Sequence, residues 1–116
     1  MLSLQHLLSI IFIMNNINKL LEFLKTSPND CFLSHALALE YIKQQDDAKA
    51  KELFINILTN TPNYIGSYYH LAKLLERNND TEKAIFWYEQ GMQQAKLAKD
   101  NHAYNELQMA YEDLVY

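Results

Sequence analysis

Three histidines, His35, His70 and His102, are the side chains of this sequence with the clearest capacity for chemistry. Converging imidazole nitrogens bind zinc, and a zinc ion with an open position activates water. The spacing argues against that use. None of the three sits in an HExxH motif or pairs with another at i, i+4, and no carboxylate stands at a matching interval, so they read as ordinary polar residues. A zinc-dependent enzyme built on His35, His70 and His102 stays only as an alternative. The single cysteine, Cys31, lies between Asp30 and Phe32 and belongs to no reactive motif; it reads as a small buried or half-buried thiol. Gly66 and Gly91 are isolated, which excludes a glycine-rich phosphate loop, and neither GxSxG nor CxxC occurs. Tyr64, Tyr68 and Tyr69 offer faces on which nucleobases stack, yet no basic residues interleave with them, and their helical spacing suits packing. No catalytic residue, cofactor or metal is expected, and the chain reads as a non-enzyme.

Whatever positions these side chains must be helical. The 116 residues contain 2 Gly and 2 Pro, where average usage predicts roughly eight and six. An all-β domain needs a turn signal every ~8–12 residues, and this chain cannot supply them. Its length suits one domain, and 49% apolar with 21% charged residues places it among chains that fold. Ten basic against 14 acidic residues give a net charge of -4, so nothing offsets repulsion from a phosphate backbone and nucleic acid is excluded as a partner. One cysteine cannot close an intrachain disulfide, which fits a reducing cytoplasm.

The apolar run Leu2–Ile13 resembles neither of the segments it could be mistaken for. A secretory signal carries basic residues ahead of its apolar core, but no Lys or Arg precedes Lys19. A membrane span needs ~20 apolar residues, and this run is shorter and contains Gln5 and His6. No span is expected. Residues 1–13 read either as an extra helix over one end of the fold or as an extension upstream of a functional chain that starts at Met14.

Pro28 and Pro62 are 34 residues apart, and the same offset pairs Asn29 with Asn63, Leu37 with Leu71, Ala38 with Ala72, Asp46 with Asp80, Lys49 with Lys83 and Ala50 with Ala84. These matches fall on apolar and punctuation positions, the signature of a duplicated structural unit. Each unit reads as a helical hairpin. In the first, Cys31, Ser34, Leu37, Ala38 and Tyr41 share one face of a helix over 31–44, Asp46 caps the next helix, and Ala50, Leu53, Phe54, Ile57 and Leu58 share its inner face up to Thr61-Pro62. In the second, a helix over about 64–77 turns Tyr68, Leu71, Ala72 and Leu75 inward. Asn79-Asp80 make the turn, and Ala84, Ile85, Tyr88 and Met92 follow. Alanine at matched positions lets helix axes approach to about 8–10 Å.

These residues resemble the tetratricopeptide repeat family, whose 34-residue unit carries a large residue, Leu-Gly/Ala, Tyr, Ala, an aromatic, Ala and Pro. The first unit supplies Leu37-Ala38, Tyr41, Ala50, Phe54 and Pro62, with Ser34 and Ile57 departing from the pattern; the second supplies Tyr68, Leu71-Ala72, Ala84 and Tyr88, with Leu75, Gly91 and Lys96 departing. The resemblance implies an all-α superhelix of antiparallel hairpins in a right-handed stack, divided into an apolar extension (1–13) and one domain (14–116). That domain comprises a half-repeat 14–28 with Leu20, Phe23 and Leu24 inward, repeats 29–62 and 63–96, and a capping region 97–116 with Tyr104, Leu107, Tyr111 and Leu114 inward. Similarity to the family assigns partner binding to a concave face that maps to Phe32, His35, Leu39 and Ile42 in the first unit and Tyr69, Lys73, Glu76 and Arg77 in the second. That face suits a peptide or helix of a partner protein. Some members clamp the C-terminal carboxylate of chaperones with Lys, Asn and Arg. Here the lysine and asparagine sites hold His35 and Leu39, which disfavours that ligand. A homo-oligomer stacking through exposed repeat ends is the other alternative, with Phe86 and Trp87 as its contacts.

Two repeats are marginal where about three are normally needed, so the flanking helices must supply buried area, each large apolar side chain contributing about 1.5–3 kcal/mol. Deleting residues 100–116 is therefore expected to unfold the chain, seen as loss of the cooperative thermal transition. An unchanged melting midpoint would contradict this.

Overall fold

The computed structural model describes residues 3–116. Among these there are six helices and no strand: α1 Leu4–Thr26, α2 Cys31–Lys43, α3 Asp47–Asn60, α4 Gly66–Arg77, α5 Thr81–Leu97 and α6 Asn101–Val115. Met1 and Leu2, part of the expected N-terminal extension, lie outside the described residues. The chain divides into two compact units, one ending at Leu53 and one running over Phe54–Tyr116, with the division inside α3.

In the first unit α1 packs on α2. The Ser3 hydroxyl accepts from the His6 N–H at 3.2 Å and so caps the start of α1. Helix α1 then runs without a break across Ile13 and Met14, so the extension and the half-repeat form one 23-residue helix. That continuity changes the length argument: α1 is long and apolar enough to cross a membrane by length and composition. Helix α1 ends at Thr26, ahead of Pro28, and Asp30 caps α2 by accepting from the Leu33 N–H at 3.0 Å. The packed face of α1 consists of Ile17, buried, with Leu20 and Leu24 half-buried. Phe23, expected inward, is 61% exposed, because it stands a quarter turn away from the face that Leu20 and Leu24 share. On α2, Leu37, Ala38 and Tyr41 are buried as the spacing predicts.

In the second unit α4, α5 and α6 pack together. Tyr68, Leu71, Ala72 and Leu75 of α4 are buried as expected, joined by Leu74 and Ser67. Helix α4 starts two residues later than the pattern indicates. Ile65 at its N-cap offers no capping side chain, and the entry consists of i+3 bonds from Ser67 to Tyr64 and from Tyr68 to Ile65. Helix α5 extends to Leu97 because no proline stands at position 96. Leu107 of α6 is buried, with Tyr104, Tyr111 and Leu114 half-buried.

The hairpin turns share one device. Gln45, Asn79 and Lys99 have positive φ of 65°, 63° and 57°. In each turn the next residue, Asp46, Asp80 or Asp100, donates its N–H back to the carbonyl of Tyr41, Leu75 or Ala95 at 2.8–2.9 Å. This is the Schellman closure, which satisfies helix-end carbonyls and stops the helix. Asp46 and Asp100 then cap the following helix through the N–H groups of Lys49 and Ala103. Asp80 makes no such side-chain bond and stands 3.6 Å from Lys83 Nζ instead.

Gly91 marks the tightest approach in the second unit. A Cβ at this position would meet Tyr68 Cβ at 2.7 Å, Tyr68 Cγ at 2.9 Å and Leu107 Cδ1 at 3.0 Å. Helix propensity alone favours Ala over Gly by about 1 kcal/mol, whereas forcing a methyl into a packed core costs about 1–3 kcal/mol. The Tyr68 atoms lie next to the backbone and cannot swing away, so the clash decides the sign. Gly91→Ala is expected to lower stability by up to about 2 kcal/mol net, measured by denaturant unfolding. A stabilised variant would show that α4 and α5 can separate.

Candidate functional site

The site residues lie on α2 and α4, the first helix of each hairpin. On α2 the spacing of Phe32, His35, Leu39 and Ile42 places all four on one side, away from Leu37, Ala38 and Tyr41. Phe32 is 70% exposed in the first turn, and the other three are half-buried. The stripe is thus an apolar strip with one large aromatic side chain in solvent.

On α4 the structure brings Tyr69, Lys73 and Glu76 into a connected row. Lys73 Nζ lies 5.9 Å from the centre of the Tyr69 ring and 3.7 Å from Glu76 Oε2. The Tyr88 hydroxyl, rising from α5, donates to that same Glu76 oxygen at 2.7 Å. Tyr88 is fully buried, and its phenol is pushed well above the ordinary range, first by burial, then by the hydrogen bond to Glu76 and the negative charges of Glu76 and Asp113. The phenol therefore stays protonated, and its donated hydrogen bond fixes the Glu76 carboxylate. Glu76 and Lys73 remain half-exposed while held in place, and Arg77 stands exposed one residue further.

The spacing of α4 does not reveal what lies behind this row. Tyr88 reads in the sequence as one more inward aromatic residue, and Asp113 and Glu106 of α6 fall outside the 34-residue offset. Their charges nevertheless act on Tyr88 and His70. A search for carboxylates along α6 at helical spacing would have found them, but their direction depends on how α6 packs. An open cleft of about 450 Å³ between the end of α5 and the start of α6, lined by Lys96, Lys99, Asn101 and Tyr104, was likewise not foreseen.

The histidines have other surroundings than an ion. His70 stacks on Phe54 with ring centres 6.2 Å apart and planes 10° from parallel, and meets the edge of Tyr69 at 5.9 Å. His102 is exposed near the start of α6. Among the described residues no group of three or more His, Cys, Asp or Glu side chains is placed to hold a metal ion. These surroundings lend the zinc alternative on His35, His70 and His102 no support.

Phe86, expected as an oligomer contact, is 50% exposed on α5 and meets Trp87 edge-on at 5.1 Å. Trp87 is half-buried and tilts against Tyr68 at 6.1 Å.

A sequence model of the tetratricopeptide repeat matches residues 65–96. The solution structure of a tetratricopeptide repeat domain protein from Salinibacter ruber is 38% identical, with a TM-score of 0.73, over 76% of this chain and 89% of that one. A crystal structure of a tetratricopeptide repeat domain protein from the same organism gives 38% identity and a TM-score of 0.70 over 73% and 94% of the two chains. The fold is also that of the TPR2B domain of yeast Sti1, solved in complex with pHsp70, at a TM-score of 0.81 and 14% identity over 92% of this chain and 86% of that one. No curated protein matches the chain in sequence. Helical hairpins closed by the same turn, small residues at their crossings and this degree of likeness define a helical-repeat protein. The chain belongs to the tetratricopeptide repeat family.

Burial lowers the His70 pKa below the ordinary 6.5, and the charge of Glu106 opposes the shift only in part. The folded state then binds fewer protons than the unfolded chain near that value. The stabilisation is complete above the ordinary pKa and is lost as pH falls through it toward the lower folded value. Melting temperatures taken at about pH 7.5 and about pH 5.5 should fall with acidification. In His70→Gln the fall should be smaller, and an identical fall in both proteins would remove His70 as its source.

Proposed function

We propose that this protein is a non-catalytic interaction module that grips a peptide or helix of a partner protein with the exposed stripes of α2 and α4. Phe32, Leu39 and Ile42 bury apolar anchors, with His35 beside them, while Tyr69, Lys73, Glu76 and Arg77 meet polar groups of the ligand. Membership of a family of helical-repeat interaction proteins supports the class of function. The observation that carries the site is the row on α4: buried Tyr88 holds Glu76, Glu76 pairs with Lys73, and Lys73 lies over Tyr69, while Glu76, Lys73 and Tyr69 stay half-exposed. Side chains fixed before binding lose little entropy on contact, which is how a small surface reaches useful affinity. The yeast domain of the same fold binds its own ligand, but 14% identity brings over the fold and not the partner. The single free cysteine, Cys31, supports placement in a reducing cytoplasm.

Half-exposed Phe86 supports a second reading, self-association through the α5 surface with Trp87. Size-exclusion chromatography across concentration separates the two, since only self-association moves the elution volume.

A Tyr69→Ala/Lys73→Glu variant should lose the partners that wild type captures, with a loss of about 2 kcal/mol or more once one is purified. Partners held equally by both proteins would exclude the α4 stripe.

A further inference from the structure

The least satisfied part of the molecule is the beginning of α1. Helix α1 has 23 residues and its neighbour α2 has 13. Joined by a short turn and packed on each other, they leave α1 about ten residues, or ~15 Å, beyond the end of α2. Every residue from Ser3 to Ser9 is exposed, and Ile10 and Ile13 are only half-buried. This overhang is nevertheless the most apolar segment of the chain. Leu4, Leu7, Leu8, Ile11, Phe12 and Met14 are all exposed, and at 3.6 residues per turn they sweep an arc of about 160°.

The width of that arc selects the occupant. A partner helix covers a stripe of about 100°, and the overhang is wider. A cylinder ~10 Å across and ~15 Å long presents roughly 470 Å² around its whole circumference, well short of the ~800 Å² that each partner of a stable complex buries. A second copy docking on this segment alone would leave apolar surface in water. Lipid acyl chains have no fixed shape and cover the whole arc at once. The charge pattern agrees: no charged side chain precedes Lys19, no acidic one precedes Glu22, and Lys19 and Lys25 follow at the headgroup end. The polar side chains of the overhang, Gln5, His6 and Ser9, lie outside the arc.

We infer that the first turns of α1, Leu4–Met14, insert their outward arc into the acyl region of a lipid bilayer and tether the repeat domain to a membrane surface. The tether uses none of the residues of the α2 and α4 stripes, so together with the proposed function it has the protein present its partner at a membrane.

The test is flotation of the full chain with phosphatidylcholine vesicles, comparing wild type with Leu8→Asp/Phe12→Asp. Both positions are exposed, so the variant should keep the wild-type melting temperature. Wild type is expected to float with the vesicles, and the variant's bound fraction should fall at least tenfold. The Tyr69→Ala/Lys73→Glu protein should float like wild type, which keeps this result separate from that of the groove. Wild type remaining in the aqueous fraction, or both proteins floating equally, would overturn the inference. So would a concentration-dependent dimer that dissociates in Leu8→Asp/Phe12→Asp without vesicle binding, since it would assign the segment to a second copy.

Discussion

The close crossing of α4, α5 and α6 at Gly91 is the constraint on which the rest of the second unit depends. With no Cβ at this position, the Tyr68 ring and the Leu107 side chain occupy the space against α5. Tyr68 is thereby placed with its hydroxyl 2.6 Å from the Pro62 carbonyl, which ties the turn before α4 to the core. The same packing buries Ala72, Ala84 and Ala95 completely. It also sets the level at which Tyr88 crosses beneath α4 and meets Glu76. A larger side chain at 91 would disturb the core and the row on α4 together.

The turns explain how so few glycines suffice. A left-handed residue normally favours glycine, yet Gln45, Asn79 and Lys99 occupy that conformation here, each at a cost of order 1 kcal/mol or more. The cost is offset locally, because each of these residues is followed by an aspartate whose N–H closes the preceding helix, and two of the three aspartates also cap the next. Gln45 and Asn79 stand 34 residues apart, whereas Lys99 follows Asn79 after only 20. The device therefore belongs to the helix end rather than to the repeat length, and α6 begins at Asn101, as far after Gly66 of α4 as Gly66 is after Cys31 of α2.

The stripes of α2 and α4 differ in kind. That of α2 offers apolar area around one large exposed aromatic side chain, Phe32. That of α4 is a held polar row, with a buried phenol behind it and the carboxylates of α6 nearby.

Much of this could be read along the chain. The 34-residue offset, the Thr61-Pro62 stop and the Asp46 cap settled the hairpins, because each acts through neighbours within a turn or two. Leu71, Ala72, Ala84 and Leu107 were legible as core for the same reason: helical period ties side-chain direction to residue number. What the sequence could not determine was anything set by a second helix. It did not show that the apolar run would continue through Met14 as one helix, or that Phe23 would face water. Nor did it show that Gly91 is steric rather than permissive, that Tyr88 reaches Glu76, or that His70 would stack on Phe54 instead of joining other histidines. Local propensity and periodicity act over a few residues, whereas these outcomes follow from the distance and rotation between packed helices, which only the tertiary structure decides.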